Sequence, residues 1–232
     1  MALTTNLQSY YKLDSNSNDS VGAVNGTDTS ITYTTGKINN AATSTTGRID
    51  LGTGNFSITT NMSISLWFYL NNTTNNAMLI QKTNLLAPSS DSWYIFAMPG
   101  SDNLQTFIGD GSVNYYANTT YTYSASTWTH VVFTYSGSTG NQKIYVNGTL
   151  LNTQPGGPAT INTAGSQVVM LNSATAAPIP LDGKLDEVGI WNRELTGAEV
   201  TQLYNGGAGL TYPFTVSSTA NPAFLSQYLA QQ

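Results

Sequence analysis

The feature that most constrains this chain is a succession of short apolar runs, each alternating with polar residues and each halted by glycine, asparagine or serine. The clearest are Met62–Leu70 (MSISLWFYL), Ser92–Met98 (SWYIFAM), Trp128–Tyr135 (WTHVVFTY) and Lys143–Val146 (KIYV). Weaker runs stand at Tyr10–Leu13, Ser30–Tyr33, Arg48–Leu51, Ala77–Lys82, Leu104–Ile108, Val168–Leu171 and Lys184–Trp191. Alternation with period two places every second side chain on one face, which is the pattern of a half-buried strand. Many short strands with turn residues between them predict a sandwich or jelly roll. The sharpest turn is Asn147-Gly148, between Val146 and Thr149. Both residues tolerate positive φ, as a two-residue hairpin requires.

Composition agrees with an all-β reading. The chain has 232 residues, suited to one large domain or two small ones, and a chain of this size can bury roughly 70% of its unfolded surface without disulfide staples. Only 8% of residues are charged, against about 25% in an average domain. Apolar content is nevertheless 40%, enough for a core, so disorder is excluded. The absence of cysteine removes disulfides, thiolate zinc sites and thiol nucleophiles together. Seven Lys and Arg with no basic run give no footprint for nucleic acid. No stretch approaches the roughly 20 apolar residues of a membrane helix, so no membrane insertion is expected. Residues 1–6 show neither a basic nor an apolar segment of a signal peptide.

One helix interrupts the strands. Thr196-Gly197-Ala198-Glu199 reads as a capping box, Val200, Leu203 and Tyr204 supply an apolar stripe, and Gly206-Gly207 is expected to end it. Beyond residue 214 the character changes. Thr215–Ala220 reads as a linker, and Asn221-Pro222 as the cap of a short tail helix. Phe224, Leu225, Tyr228 and Leu229 would share its apolar face. The expected division is therefore a domain over 1–214 and a tail over 215–232, the tail docking on its own sandwich or on another subunit.

Three stretches resemble one family. Ile64–Leu70 is similar to its SxxxWFYL strand. Trp128–Tyr135 with Gly140–Gly148 is similar to its WxHV…YvNG hairpin. Leu181–Thr196 (LDGKLDEVGIWNRELT) is similar to its DE…WNR segment before a capped helix. The chain thus resembles the laminin G-like, concanavalin A-like jelly-roll domains, in particular their bacterial and phage pentraxin-like branch, over residues 8–214. The resemblance implies a two-sheet antiparallel sandwich with one late helix. It does not imply a single function, because the family holds lectins, adhesins, receptor modules and virion proteins.

No catalytic constellation is visible. A retaining glycosidase needs two carboxylates about 5–5.5 Å apart. The acidic residues of the last strand are Asp182, Asp186 and Glu187. Strand alternation would turn Asp186 and Glu187 to opposite faces, and Asp182 and Asp186 would stand about 13 Å apart along the strand. His130, the sole histidine, lies in an apolar run and is expected to be structural. A non-enzymatic protein is expected.

The resemblance also implies a structural calcium held by Asp19, in the polar loop Asp14–Gly22, together with Asp186. Calcium favours six to eight oxygens drawn from carboxylates and loop carbonyls. For a glycan, exposed rings beside amides or carboxylates are needed. Tyr115, Tyr116 and Asn118 form one such candidate group, and Trp93 beside Asp91 another, whereas Trp67, Trp128 and Trp191 are expected in the core. Two functions fit these features. The first is a virion-surface protein of a phage (capsid decoration, fibre or tail-associated) that contacts other subunits and a surface glycan. The second is a secreted or cell-surface carbohydrate-binding module.

Overall fold

Alternating burial along the apolar runs builds the architecture. In a computed structural model, which describes residues 1–53, 55–83, 92–164, 167–174 and 177–215, fifteen strands make two antiparallel sheets. The first sheet runs in the order β13 (Thr149–Gln154), β12 (Asn141–Val146), β11 (Trp128–Ser136), β6 (Asn61–Leu70), β15 (Gly183–Trp191), β4 (Asn40–Ser44), β3 (Thr32–Thr35). The short β1 (Leu7–Tyr11) also pairs with β15, continuing the line of β4. The second sheet runs β10 (Asn114–Thr120), β9 (Asn103–Gly109), β8 (Trp93–Met98), β7 (Ala77–Thr83), β14 (Gln167–Met170), β5 (Arg48–Thr53), β2 (Thr27–Thr29). This is the two-sheet jelly-roll sandwich that the strand pattern predicts. The tail helix expected over residues 221–232 lies outside the described residues.

Two apolar layers hold it. The inter-sheet core contains Ile64, Leu66, Phe68, Trp93, Ile95, Ile108, Phe133, Ile144, Val168 and Ile190 among others. A second cluster lies on the outer face of the first sheet, where Tyr10, Val132, Tyr145 and Trp191 are covered by Leu195, Val200, Leu203, Leu210 and Phe214. Helix α1 (Gly197–Tyr204) supplies part of that cover. Its capping box forms as expected, with Thr196 Oγ1 accepting from Glu199 N and the Glu199 carboxylate accepting from Thr196 N. The helix ends one residue earlier than the glycine pair suggests. Asn205 takes the left-handed position (φ 49°), a role asparagine can fill.

Two of the tryptophans are placed differently from the expectation. Trp93, read as an exposed candidate, is fully buried between the sheets. Trp67 and Trp191 are buried as expected, on the outer face of the first sheet, whereas Trp128 is only half-buried against Tyr69, with ring centroids 5.5 Å apart. Flanking alternation cannot tell the two faces of a strand apart when both are covered.

Candidate functional site

Helix α1 packs on the first sheet, so among the described residues no helix lies on the outer face of the second sheet. On β8, Trp93, Ile95 and Ala97 point into the core, so Tyr94, Phe96 and Met98 emerge on the other side, each half-buried. Register then decides which side chains meet. Tyr94 pairs with Phe107 of β9, and Phe107 with Tyr116 of β10. One step along, Phe96 pairs with Gln105 and Gln105 with Asn118. Cross-strand partners share a face, so two parallel rows result: Tyr94–Phe107–Tyr116 and Phe96–Gln105–Asn118.

The rows are tightly joined. Tyr94 stacks on Phe107 with centroids 4.9 Å apart and planes at 15°, and Phe107 meets Tyr116 at 5.3 Å. Phe107 is thereby buried, while Tyr116 is 45% exposed. A polar relay runs beside the rings. The Tyr94 hydroxyl donates to Gln105 Oε1 (2.7 Å), and Gln105 Nε2 donates to Asn118 Oδ1 (2.9 Å). Asn103 Nδ2 also donates to Asn118 Oδ1 (3.0 Å). The acceptor of Asn118 is thus used twice, and its exposed amide faces solvent with donors to spare. The exposed Tyr116 ring next to the oriented Asn118 amide suits a sugar, which carries C–H faces and a rim of hydroxyls.

Of the residues singled out from the sequence, Tyr116 and Asn118 belong to this surface. Tyr115 points the other way: its hydroxyl donates to Asp110 Oδ2 (3.2 Å), and its carbonyl accepts from Gln142 Nε2 (3.1 Å). Trp93 presents no face to a ligand, and Asp91 lies outside the described residues. Tyr94, Phe96, Gln105 and Phe107 were not singled out. Alternation within each run shows which residues share a face, but only the pairing register sets them beside Tyr116 and Asn118.

The acidic residues of β15 behave differently from a regular strand. A bulge between Asp186 and Gly189, with Glu187 at φ 50°, turns both carboxyls to the outer face, correcting the expectation that they oppose each other. Asp186 Oδ2 accepts from the N–H groups of Lys37 (2.8 Å) and Ile38 (3.1 Å), and the Tyr10 hydroxyl donates to Glu187 Oε2. Burial pushes the Asp186 carboxyl up to about 8 and the Glu187 carboxyl to about 7. Asp182 stands apart, bound by the amides of Asn71 (2.8 Å) and Asn72 (2.6 Å). His130 is buried, with Nε2 2.9 Å from Ser65 Oγ, and burial holds it neutral.

The calcium set read from the resemblance fits in one half. Asp19 has its lone pairs occupied: Tyr10 N and Val21 N donate to Oδ1 (both 3.0 Å), and Ser9 Oγ (2.6 Å) and Val24 N (3.3 Å) to Oδ2. Asp186 retains a buried Oδ1 with no hydrogen-bond partner, and Glu187 Oε1 is in the same condition. Among the described residues no group of three or more His, Asp and Glu is gathered as a metal cage.

The fold agrees with the comparisons. The chain belongs to the concanavalin A-like lectin/glucanases superfamily, whose sequence profile matches residues 43–201. Domain 4 of an extracellular arabinanase from Geobacillus stearothermophilus, solved in complex with arabinotriose, superimposes with a TM-score of 0.70 at 24% identity, covering 84% of this chain and 96% of that one. A heptameric SAP-like pentraxin from Limulus polyphemus superimposes with a TM-score of 0.52 at 17% identity, covering 63% of this chain and 70% of that one. The human adhesion G-protein coupled receptor D1 is 29% identical over 142 residues, 57% of this chain and 16% of the receptor. The chain therefore spans a small fraction of the curated relatives it matches. Among the described residues no helix is long and apolar enough to cross a membrane.

Proposed function

We propose that this domain is a non-enzymatic carbohydrate-binding module that works on a surface outside the cytoplasm, and that the outer face of β8–β10 is its binding surface. The observation that carries this reading is the pair of rows Tyr94–Phe107–Tyr116 and Phe96–Gln105–Asn118, which sets the exposed Tyr116 and Asn118 side by side with the half-buried Tyr94, Phe96 and Gln105 on one sheet face. The arabinanase domain, which shares the fold and was solved with arabinotriose, supports the ligand class. The separate partners of Asp182, Asp186 and Glu187 support a binding role rather than hydrolysis, since none is poised opposite another across an open cleft. The test is a glycan array probed with the wild type and with a Tyr116→Ala, Asn118→Ala variant that keeps the wild-type melting temperature. Signals that vanish in the variant support the module and its surface. Binding that survives moves the site elsewhere.

A virion is one setting for such a module, and a secreted or cell-surface protein the other. Co-sedimentation with phage particles, against recovery from a cell-wall or medium fraction, distinguishes them. A structural calcium at Asp186 is part of the same proposal, supported by its buried Oδ1, which has no hydrogen-bond partner. A chelator that lowers the melting temperature of the wild type but not of Asp186→Asn supports it. A melt unchanged within a degree overturns it.

A further inference from the structure

The distribution of charge over the two sheets carries the reading of the β8–β10 face one step further. Strands β8 (WYIFAM), β9 (NLQTFIG) and β10 (NYYANTT) contain no charged residue. All seven cations of the chain are placed elsewhere. Lys82, on the neighbouring strand, points inward, and its ammonium donates to the carbonyls of Asn55 (2.8 Å) and Phe56 (2.9 Å). Arg193 is bound to Glu199, and Lys143 to Glu194. Lys37 lies over the Trp67 ring and Lys184 over the Tyr69 ring, both on the first sheet. Lys12 belongs to the loop near Asp14. Arg48 is on β5, three strands from β8, or about 14 Å at the usual strand spacing. Carboxylates, by contrast, bracket β9. Asp102 precedes it, and Asp110 follows it with a carboxyl held below its ordinary value by the N–H groups of Val113 and Ser112.

Resting on the carbohydrate reading above, we infer that this face selects neutral oligosaccharides and rejects anionic ones such as sialylated or uronic-acid chains. The ligand lies across the strands, over the half-buried Tyr94 and the exposed Tyr116, which the buried Phe107 joins at the strand spacing, while Gln105 and Asn118 run alongside. A carboxylate-bearing sugar placed there would lose hydration and meet no compensating cation. A neutral sugar loses little hydration that the Asn118 donors cannot replace.

The experiment is isothermal titration of the full chain with arabinotriose and cellotriose as neutral probes and with sialyllactose and trigalacturonate as anionic ones, each at low and high salt. The expected result is binding of at least one neutral probe with an affinity that salt does not change, because no ion pair is there to be screened. The expected loss in Tyr116→Ala is about tenfold, the share of one stacked ring. In Asn118→Lys, the anionic probes gain and the gain disappears at high salt. Anionic probes that bind the wild type as well as or better than neutral ones overturn the selectivity while leaving the carbohydrate reading intact. Neutral binding unchanged in Tyr116→Ala overturns the placement. Silence from all four probes, with a glycan array equally silent, overturns the carbohydrate reading itself.

Discussion

Two buried charged groups of the outer layer show how a single residue sets stability here. Arg193 forks onto Glu199, with Nη1 2.9 Å from Oε2 and Nη2 2.7 Å from Oε1, while Nε donates to the Thr5 carbonyl (2.8 Å). Burial raises the Glu199 carboxyl, but the bonds from Arg193 and Thr196 outweigh it and hold the group at about 2. Arg193→Ala removes the bidentate partner of a buried carboxylate and is expected to cost about 3–5 kcal/mol in denaturant melts. Lysine does not rescue it, because it lacks the planar fork. His130 gives a pH test. Burial, with the charge of Lys37 behind it, pushes its imidazole down to about 3 from 6.5. Below pH 6.5 the unfolded chain therefore binds a proton that the folded chain refuses. Stability falls as the pH drops, by about 1.4 kcal/mol per unit. Asp186 and Glu187 act oppositely. Raised to about 8 and 7, they keep protons in the fold that the unfolded chain has released, and their contribution is lost as pH rises through that range. The clean measurement is thus the stability difference between wild type and His130→Gln. It should shrink between pH 6.5 and 4.5, and a constant difference would show that the ring is not held neutral.

At the scale of elements, the best-read feature is the hairpin joining β12 to β13. Asn147 (φ 49°) and Gly148 (φ 78°) both take positive φ, as the dipeptide predicts. The Asn147 side chain adds a bond no local rule announces, its Oδ1 accepting from His130 N at 2.9 Å. A Cβ on Gly148 would stand 2.9 Å from the Tyr204 ring. Gly148→Val combines that clash with backbone strain and is expected to lower the melting temperature more than Gly148→Ala does. Thr196→Ala, which removes the Oγ1 acceptor for Glu199 N, is expected to cost about 1 kcal/mol. Strands Arg48–Thr53, Asn61–Leu70, Trp128–Ser136 and Gly183–Trp191 stand where their apolar alternation puts them. The polar strands β2, β3, β10 and β13 carry weak periodicity or none, because they stand at sheet edges where polar residues are tolerated. The edge strand β10 brings Tyr116 and Asn118, so half the candidate surface falls in the segment that local patterning reads least well.

For the whole molecule the decisive feature is the second apolar layer. The N-terminal Leu3 and Leu7, helix α1 and the segment around Leu210 and Phe214 close over Tyr10 and Trp191. Phe214 meets Tyr10 edge-on at 5.2 Å and Trp191 at 6.3 Å. Phe214→Ala is therefore expected to cost about 3 kcal/mol although the residue lies far from the inter-sheet core, and equilibrium unfolding measures it. A cost below 0.5 kcal/mol would mean that the segment frays from the sheet in solution.

Local chemistry by itself determined the class of fold, the hairpin and the capped helix. Each depends on periodicity or on the φ preferences of a few neighbouring residues. Only the tertiary structure decided that Trp93 is interior, that Asp186 and Glu187 share a face, and that Tyr94, Phe107 and Tyr116 stand in one row. The physical reason is that faces and rows are set by strand register and by a bulge. Both arise from hydrogen bonds between segments tens of residues apart, and no local pattern encodes them.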